Sequence, residues 1–282
     1  MSAPFRLGIS PCPNDTYTFF GLLTNRVSLA TGPLAIELLD IQELNHGIRS
    51  GRFDAAKGSY FAAMKEAKDI CVLPVGSALG FGVGPILLRG SSCTQDRPSG
   101  DSLVLVPGQE TTAFLLLRAL HPQVQNVRHV LFSEIIPALS RGEADFGVCI
   151  HEGRFTYERA GLALADDLGQ SYETLTGFPL PLGGIFARRD TETASLKALV
   201  DAVRSSLHLA SQDPAETLQL MRRYASELSD EALWKHVQLY VNAETHALTE
   251  GGRAAIRALE ALARSCGLVA PQAPYLTFLS SP

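Results

Sequence analysis

Four short stretches combine residue types that handle anions and protons. Ser10-Pro11-Cys12-Pro13-Asn14-Asp15-Thr16 sets a cysteine between two prolines and follows it with two residues able to cap a helix. The prolines fix φ and stiffen the loop, and the free N–H groups of a capped helix start attract an oxyanion. Cys12 has no evident base beside it, so a conformational role is expected rather than a nucleophilic one. Lys57-Gly58-Ser59 offers a point charge for an anionic group and a hydroxyl donor or cap. The plainer reading is a solvated lysine beside a capping serine. Pro107-Gly108-Gln109-Glu110-Thr111-Thr112 turns into a helix with two hydroxyls at its start, suited to carboxylate or sugar oxygens. Capping alone accounts for one threonine, not both. His151 follows the apolar Phe146-Gly147-Val148-Cys149-Ile150. With an ordinary pKa of ~6.5, its imidazole can serve as a neutral general base.

Other chemistries find no support in the sequence. It has no Ser-His-Asp order, no paired histidines at metal spacing, and no GxGxxG opening a helix after a strand. NAD, P-loop and zinc chemistry are therefore not expected.

The elements that would hold these residues alternate strand and helix, the mark of α/β architecture. Strands are expected over 5–9, 34–39, 53–57 and 70–75, with helices over 14–23 and from about Ser59. A second unit follows, with strands over 102–106, 127–132 and 145–150 and helices over 111–120 and 133–140. The polar stretch 90–100 reads as a crossing between lobes, and 180–188 as the crossing back. The last third is helical: Leu196, Val200, Val203 and Leu207 share one face, Asp213-Pro214 starts a further helix, and Gly267 stops the last. Lobe 1 is therefore expected from 1–92 and 186–282, and lobe 2 from 93–185, with a ligand cleft between them.

Composition agrees with a folded chain of this size. Its 282 residues, 46% hydrophobic and 19% charged, suit an ordinary globular protein of one or two lobes. The net charge is −5 and no Lys/Arg-rich run occurs, which argues against nucleic acid or an acidic membrane as partner. The beginning of the sequence lacks a signal-peptide pattern, and no apolar run approaches the ~20 residues of a membrane span. Five scattered cysteines without a CxxC pair read as reduced thiols, so a cytoplasmic protein is expected.

The 10–16 stretch resembles a motif of the 1,4-dihydroxy-6-naphthoate synthase family, in the futalosine route to menaquinone. The resemblance continues through Gly82-Val83-Gly84-Pro85, Pro107-Gly108, Thr111-Thr112-Ala113, Ile150-His151-Glu152 and Arg154-Phe155-Thr156-Tyr157. It then runs through Leu180-Pro181-Leu182-Gly183, Glu227-Leu228-Ser229-Asp230 and Tyr240-Val241-Asn242, essentially the whole chain. It implies a two-lobed type II periplasmic-binding-protein fold and a cofactor-independent lyase. The implied reaction opens cyclic dehypoxanthinyl futalosine to 1,4-dihydroxy-6-naphthoate and a three-carbon dihydroxyketone. By the same resemblance His151 is the base, and Lys57, Gly58, Ser59, Thr111 and Thr112 contact a carboxylated small molecule. Ser10, Asn14, Pro181 and Gly183 are further candidates. Gly58 departs from the pattern, since a bulkier apolar residue is expected there. The alternative is a non-catalytic small-carboxylate-binding or sensory module, because fold alone does not fix function.

Overall fold

The computed structural model describes residues 3–150, 153–226 and 228–280. Its strands in chain order are β1 (Phe5–Ile9), β2 (Leu34–Leu38), β3 (Ala55–Ser59), β4 (Ile70–Val72), β5 (Ala78–Gly80) and β6 (Ile86–Arg89). They continue with β7 (Val104–Val106), β8 (Val127–His129), β9 (Phe146–Cys149), β10 (Ala163–Asp167), β11 (Leu180–Arg188) and β12 (Thr277–Phe278). The chain forms two compact units, each with its own sheet. The first takes Met1–Gly80, Pro181–Arg253 and Gln272–Pro282, and the second Phe81–Leu180 and Ala254–Pro271.

The first unit holds a mixed sheet in the order β12-β4-β11-β3-β1-β2, with β5 on β11. β1 runs parallel to both β2 and β3, while β11 is antiparallel to β3 and β4. Leu7, Ile9 and Ile185 from the strands, and Leu73 just after β4, pack with Phe19 and with the stripe Leu196, Val200, Val203 and Leu207. That stripe rides on the helix Thr193–Gln212, as its periodicity requires. Each such side chain removed from water stabilises the unit by about 1.5–3 kcal/mol. The next helix, Pro214–Tyr224, starts with Pro at its first position, and the Asp213 side chain accepts from the Glu216 N–H.

The second unit has a five-stranded sheet in the order β10-β6-β9-β7-β8. β7 is parallel to β8 and β9, and β6 is antiparallel to β9 and β10. Ile86, Leu88, Leu105, Ile135, Leu139 and Cys149 form its core.

Two expectations are corrected, and two elements are added. The unit boundaries fall at 80/81 and 180/181, not near 92 and 186, and 254–271 groups with the second unit. The reason is β6: it is paired on both sides within the second sheet, so the chain has already left the first unit before 90–100. The helix expected over 14–23 is two short ones, Pro13–Thr18 and Phe20–Leu23, broken where Phe19 leaves helical geometry. Strand β10 and the helix Leu168–Thr176 went unread, because Asp166-Asp167 spoils any apolar alternation.

One contact in the second unit admits no side chain. A Cβ on Gly84 would lie 2.2 Å from the Gly169 Cα, and one on Gly169 would lie 2.5 Å from the Gly84 Cα. Two backbones therefore touch where the motif around Gly84 meets the helix Leu168–Thr176. Gly84→Ala is expected to lower stability by about 1–3 kcal/mol, the usual range for overpacking. Urea unfolding should show a lower midpoint with an unchanged slope.

Candidate active site

In the first unit the carboxyl ends of β1 and β3 carry a buried polar cluster. Ser10 directly follows β1, while Lys57, Gly58 and Ser59 are the last residues of β3 itself. The strand runs to Ser59, beyond the expected end at 57, because β11 extends its ladder: Gly184 pairs with Gly58 and Gly183 with Ser59.

Lys57 is not a solvated cation. It is 5% exposed, its ammonium lies 3.0 Å from Asp15 Oδ1, and it donates to the Gly76 carbonyl at 2.8 Å. Asp15, 2% exposed, gathers three more donors. Its Oδ2 accepts from the Ser10 N–H at 3.2 Å and the Ser10 hydroxyl at 2.7 Å, and its Oδ1 from Asn14 Nδ2 at 3.0 Å. A charge buried this deeply needs such a full set of partners. An ammonium carries three N–H donors. Asp15 and Gly76 occupy two of them among the described residues.

The helix that supplies Asp15 is not capped by Asn14 or Asp15, contrary to expectation, but begins at Pro13, one residue before the expected start. Cys12 is its N-cap residue, and the Cys12 carbonyl accepts from the N–H groups of Asp15 and Thr16, each at 3.0 Å. Pro13 at the first position sets that start. The Cys12 N–H donates to Ser10 Oγ at 3.3 Å. The backbone of Cys12 thus takes part in both the loop and the helix start. Farther along the chain, His236 is buried and its Nε2 stands 2.9 Å from Asn14 Oδ1. Nothing local in the sequence marks the partner of His236, 222 positions away.

Ser59 is a helix cap: its Oγ accepts from the Phe61 N–H at 3.2 Å, and its own N–H donates to Asn45 Oδ1 at 3.0 Å. Gly58 is explained by the helix Ile41–Ser50, since a Cβ there would lie 2.7 Å from Ile48 Cδ1. The bulkier residue expected at 58 would have to displace the ends of the Ile48 and Asn45 side chains. Gly183 is held to glycine from the other side, its Cβ position lying 2.6 Å from the Gly58 carbonyl oxygen. Pro181 sits on the same strand β11. Near Lys57, the fully buried Tyr60 hydroxyl is 2.8 Å from Ser77 Oγ, and burial pushes its phenol pKa well up.

In the second unit, Thr111 caps the helix Thr112–Leu120. Its hydroxyl accepts from the Phe114 N–H at 3.2 Å and donates to the Gly108 carbonyl at 2.9 Å. Thr112 is the first helical residue and is also buried. Arg154 makes two bonds to Asp167, at 2.7 and 3.3 Å, and a third to the Gly84 carbonyl at 2.6 Å. Two stretches quoted for the resemblance, around Gly84 and Arg154, are thereby tied together. Asp167 also caps the helix Leu168–Thr176. In that helix Glu173 accepts from the Gly82 N–H at 2.7 Å, and burial raises its carboxyl above the usual range. His151 and Glu152 lie outside the described residues, between β9 and the helix Gly153–Thr156.

Removing only the cation of the Lys57–Asp15 pair leaves a buried carboxylate uncompensated. Lys57→Met should cost about 3–5 kcal/mol of stability. The double variant Lys57→Met, Asp15→Asn should recover much of it. Urea titrations of the two single variants and the double variant measure the coupling directly.

Comparison with known proteins places this geometry in context. Residues 5–265 match the family described as Menaquinone biosynthesis. A Thermus thermophilus protein named 1,4-dihydroxy-6-naphthoate synthase is 43% identical over 94% of this chain and 96% of its own length. A Streptomyces coelicolor protein of the same name is 38% identical over 95% of this chain and 96% of its own. Among solved structures, one from Archaeoglobus fulgidus superposes with a TM-score of 0.86 at 28% identity, covering 94% of this chain and 98% of that one. The alkanesulfonate-binding protein of Xanthomonas axonopodis gives 0.72 at 13% identity, covering 98% and 96%, and speaks to fold alone. The fold is thus of the periplasmic-binding-protein kind, and, with matches running nearly end to end, the chain belongs to the menaquinone biosynthesis family.

Proposed function

We propose that this protein is a carbon–carbon lyase that converts cyclic dehypoxanthinyl futalosine to 1,4-dihydroxy-6-naphthoate and dihydroxyacetone, without metal or organic cofactor. The observation that carries this reading is the near full-length match to two relatives bearing the synthase name. The geometry adds a means of binding. The substrate carries a benzoate-type carboxylate and several hydroxyls, so it needs donors held in fixed positions. The third N–H of Lys57 meets that need, on an ammonium already oriented by Asp15 and the Gly76 carbonyl. Ser10 and Asn14 hold the Asp15 carboxylate that orients it, and Ser59 follows on the same strand, with Gly58 and Gly183 keeping the backbone close. Thr111 and Thr112 supply a helix start for a second polar group. Pro181 is a further contact through β11.

In this reading neutral His151 removes a proton from the sugar-derived part of the substrate. The electron pair released breaks a carbon–carbon bond in a retro-aldol sense, the three-carbon dihydroxyketone departs, and aromatisation of the new ring draws the reaction forward. No helix among the described residues is long and apolar enough to cross a membrane. A cytoplasmic location is part of the same proposal, supported by five free cysteines.

Incubation with the cyclic futalosine derivative should release the naphthoate, detected by chromatography. His151→Asn should lower kcat by ~10²–10⁴-fold with substrate binding largely intact, the usual contribution of a general base. The wild-type rate should fall as pH drops through the pKa of the histidine. Turnover of His151→Asn within a few-fold of wild type would assign the base to another group.

A further inference from the structure

We propose that His236 is a positioning residue for substrate binding, acting through Asn14 and Asp15 on Lys57; this rests on the reading of Lys57 as a substrate contact. The observations form one continuous chain within the first unit. His236 Nε2 is 2.9 Å from Asn14 Oδ1, Asn14 Nδ2 is 3.0 Å from Asp15 Oδ1, and Asp15 Oδ1 is 3.0 Å from the Lys57 ammonium. His236, Asp15 and Lys57 are each 5% exposed or less.

Hydrogen-bond polarity fixes the direction of this chain. Asp15 is a carboxylate facing an ammonium, so the atom of Asn14 turned toward it must be the amide nitrogen. The amide oxygen is then turned toward His236 and needs a donor, so Nε2 must carry its proton. A flipped amide would set two acceptors against each other at Asp15. His236 therefore locks the Asn14 rotamer, which completes the donor set of Asp15. Asp15 in turn fixes where the remaining donor of Lys57 points. The ring is itself held, with Tyr240 tilted against it at 4.6 Å between centroids.

The test uses the intact chain with cyclic dehypoxanthinyl futalosine as substrate. His236→Phe keeps the ring packing and removes the donor. His236→Gln keeps a donor. The expected result is a KM raised about tenfold in His236→Phe, the loss typical of a weakened bond to a charged group, with kcat changed less. His236→Gln should restore most of it, and His236→Phe should have no further effect in an Asn14→Ala background. A folded His236→Phe with wild-type KM overturns the proposal, as does an equal rise in His236→Phe and His236→Gln, which would be a packing effect. Should His236→Phe fail to fold, ring-nitrogen NMR of the wild-type protein decides: a protonated Nε2 supports the proposal and a bare Nε2 overturns it. Absence of turnover by the wild-type protein would instead remove the proposed function, and is a separate outcome.

Discussion

The buried pair Lys57–Asp15 is the constraint around which the first unit is arranged. An ammonium and a carboxylate out of water are tolerated only if each is oriented and saturated. Here β1 supplies Ser10 at its end, the helix Pro13–Thr18 supplies Asn14 and Asp15, β3 supplies Lys57, and the turn before β5 supplies the Gly76 carbonyl. None of these elements can shift without stranding a charge. The two prolines beside Cys12 make sense in this light, since they hold the loop that delivers both Ser10 and Asp15.

The second unit solves a different problem, joining chain segments with little side chain available. Gly84 and Gly169 meet backbone to backbone, and Arg154 closes over the junction by bonding both Asp167 and the Gly84 carbonyl. Asp167 contributes twice, as partner of Arg154 and as cap of the following helix.

Much of this architecture was legible from the residues. The strands over 5–9 and 34–38 and the stripe Leu196, Val200, Val203 and Leu207 follow from periodicity, and Asp213-Pro214 from capping chemistry. The elements that escaped were those whose local pattern is overridden by partners far along the chain. β3 ends where β11 stops pairing with it, and β6 belongs to the second sheet because of β9 and β10. At the site, residue type pointed to Lys57, Ser59 and Thr111, and the capping roles of the serine and the threonine were legible because each caps the helix that it begins. A lysine paired with Asp15 and a histidine bonded to Asn14 depend on long-range geometry.

The place of β11 in the first sheet has a consequence for biosynthesis. It separates β3 from β4, although those two strands leave the ribosome early and β11 only after the 81–180 segment of the second unit. Until then β3 and β4 each present an open row of backbone donors and acceptors, the kind of edge that recruits other chains. The sheet can close only by inserting a late strand into its middle. The nascent protein therefore passes through a prolonged period in which chaperone protection matters more than it does for the finished fold.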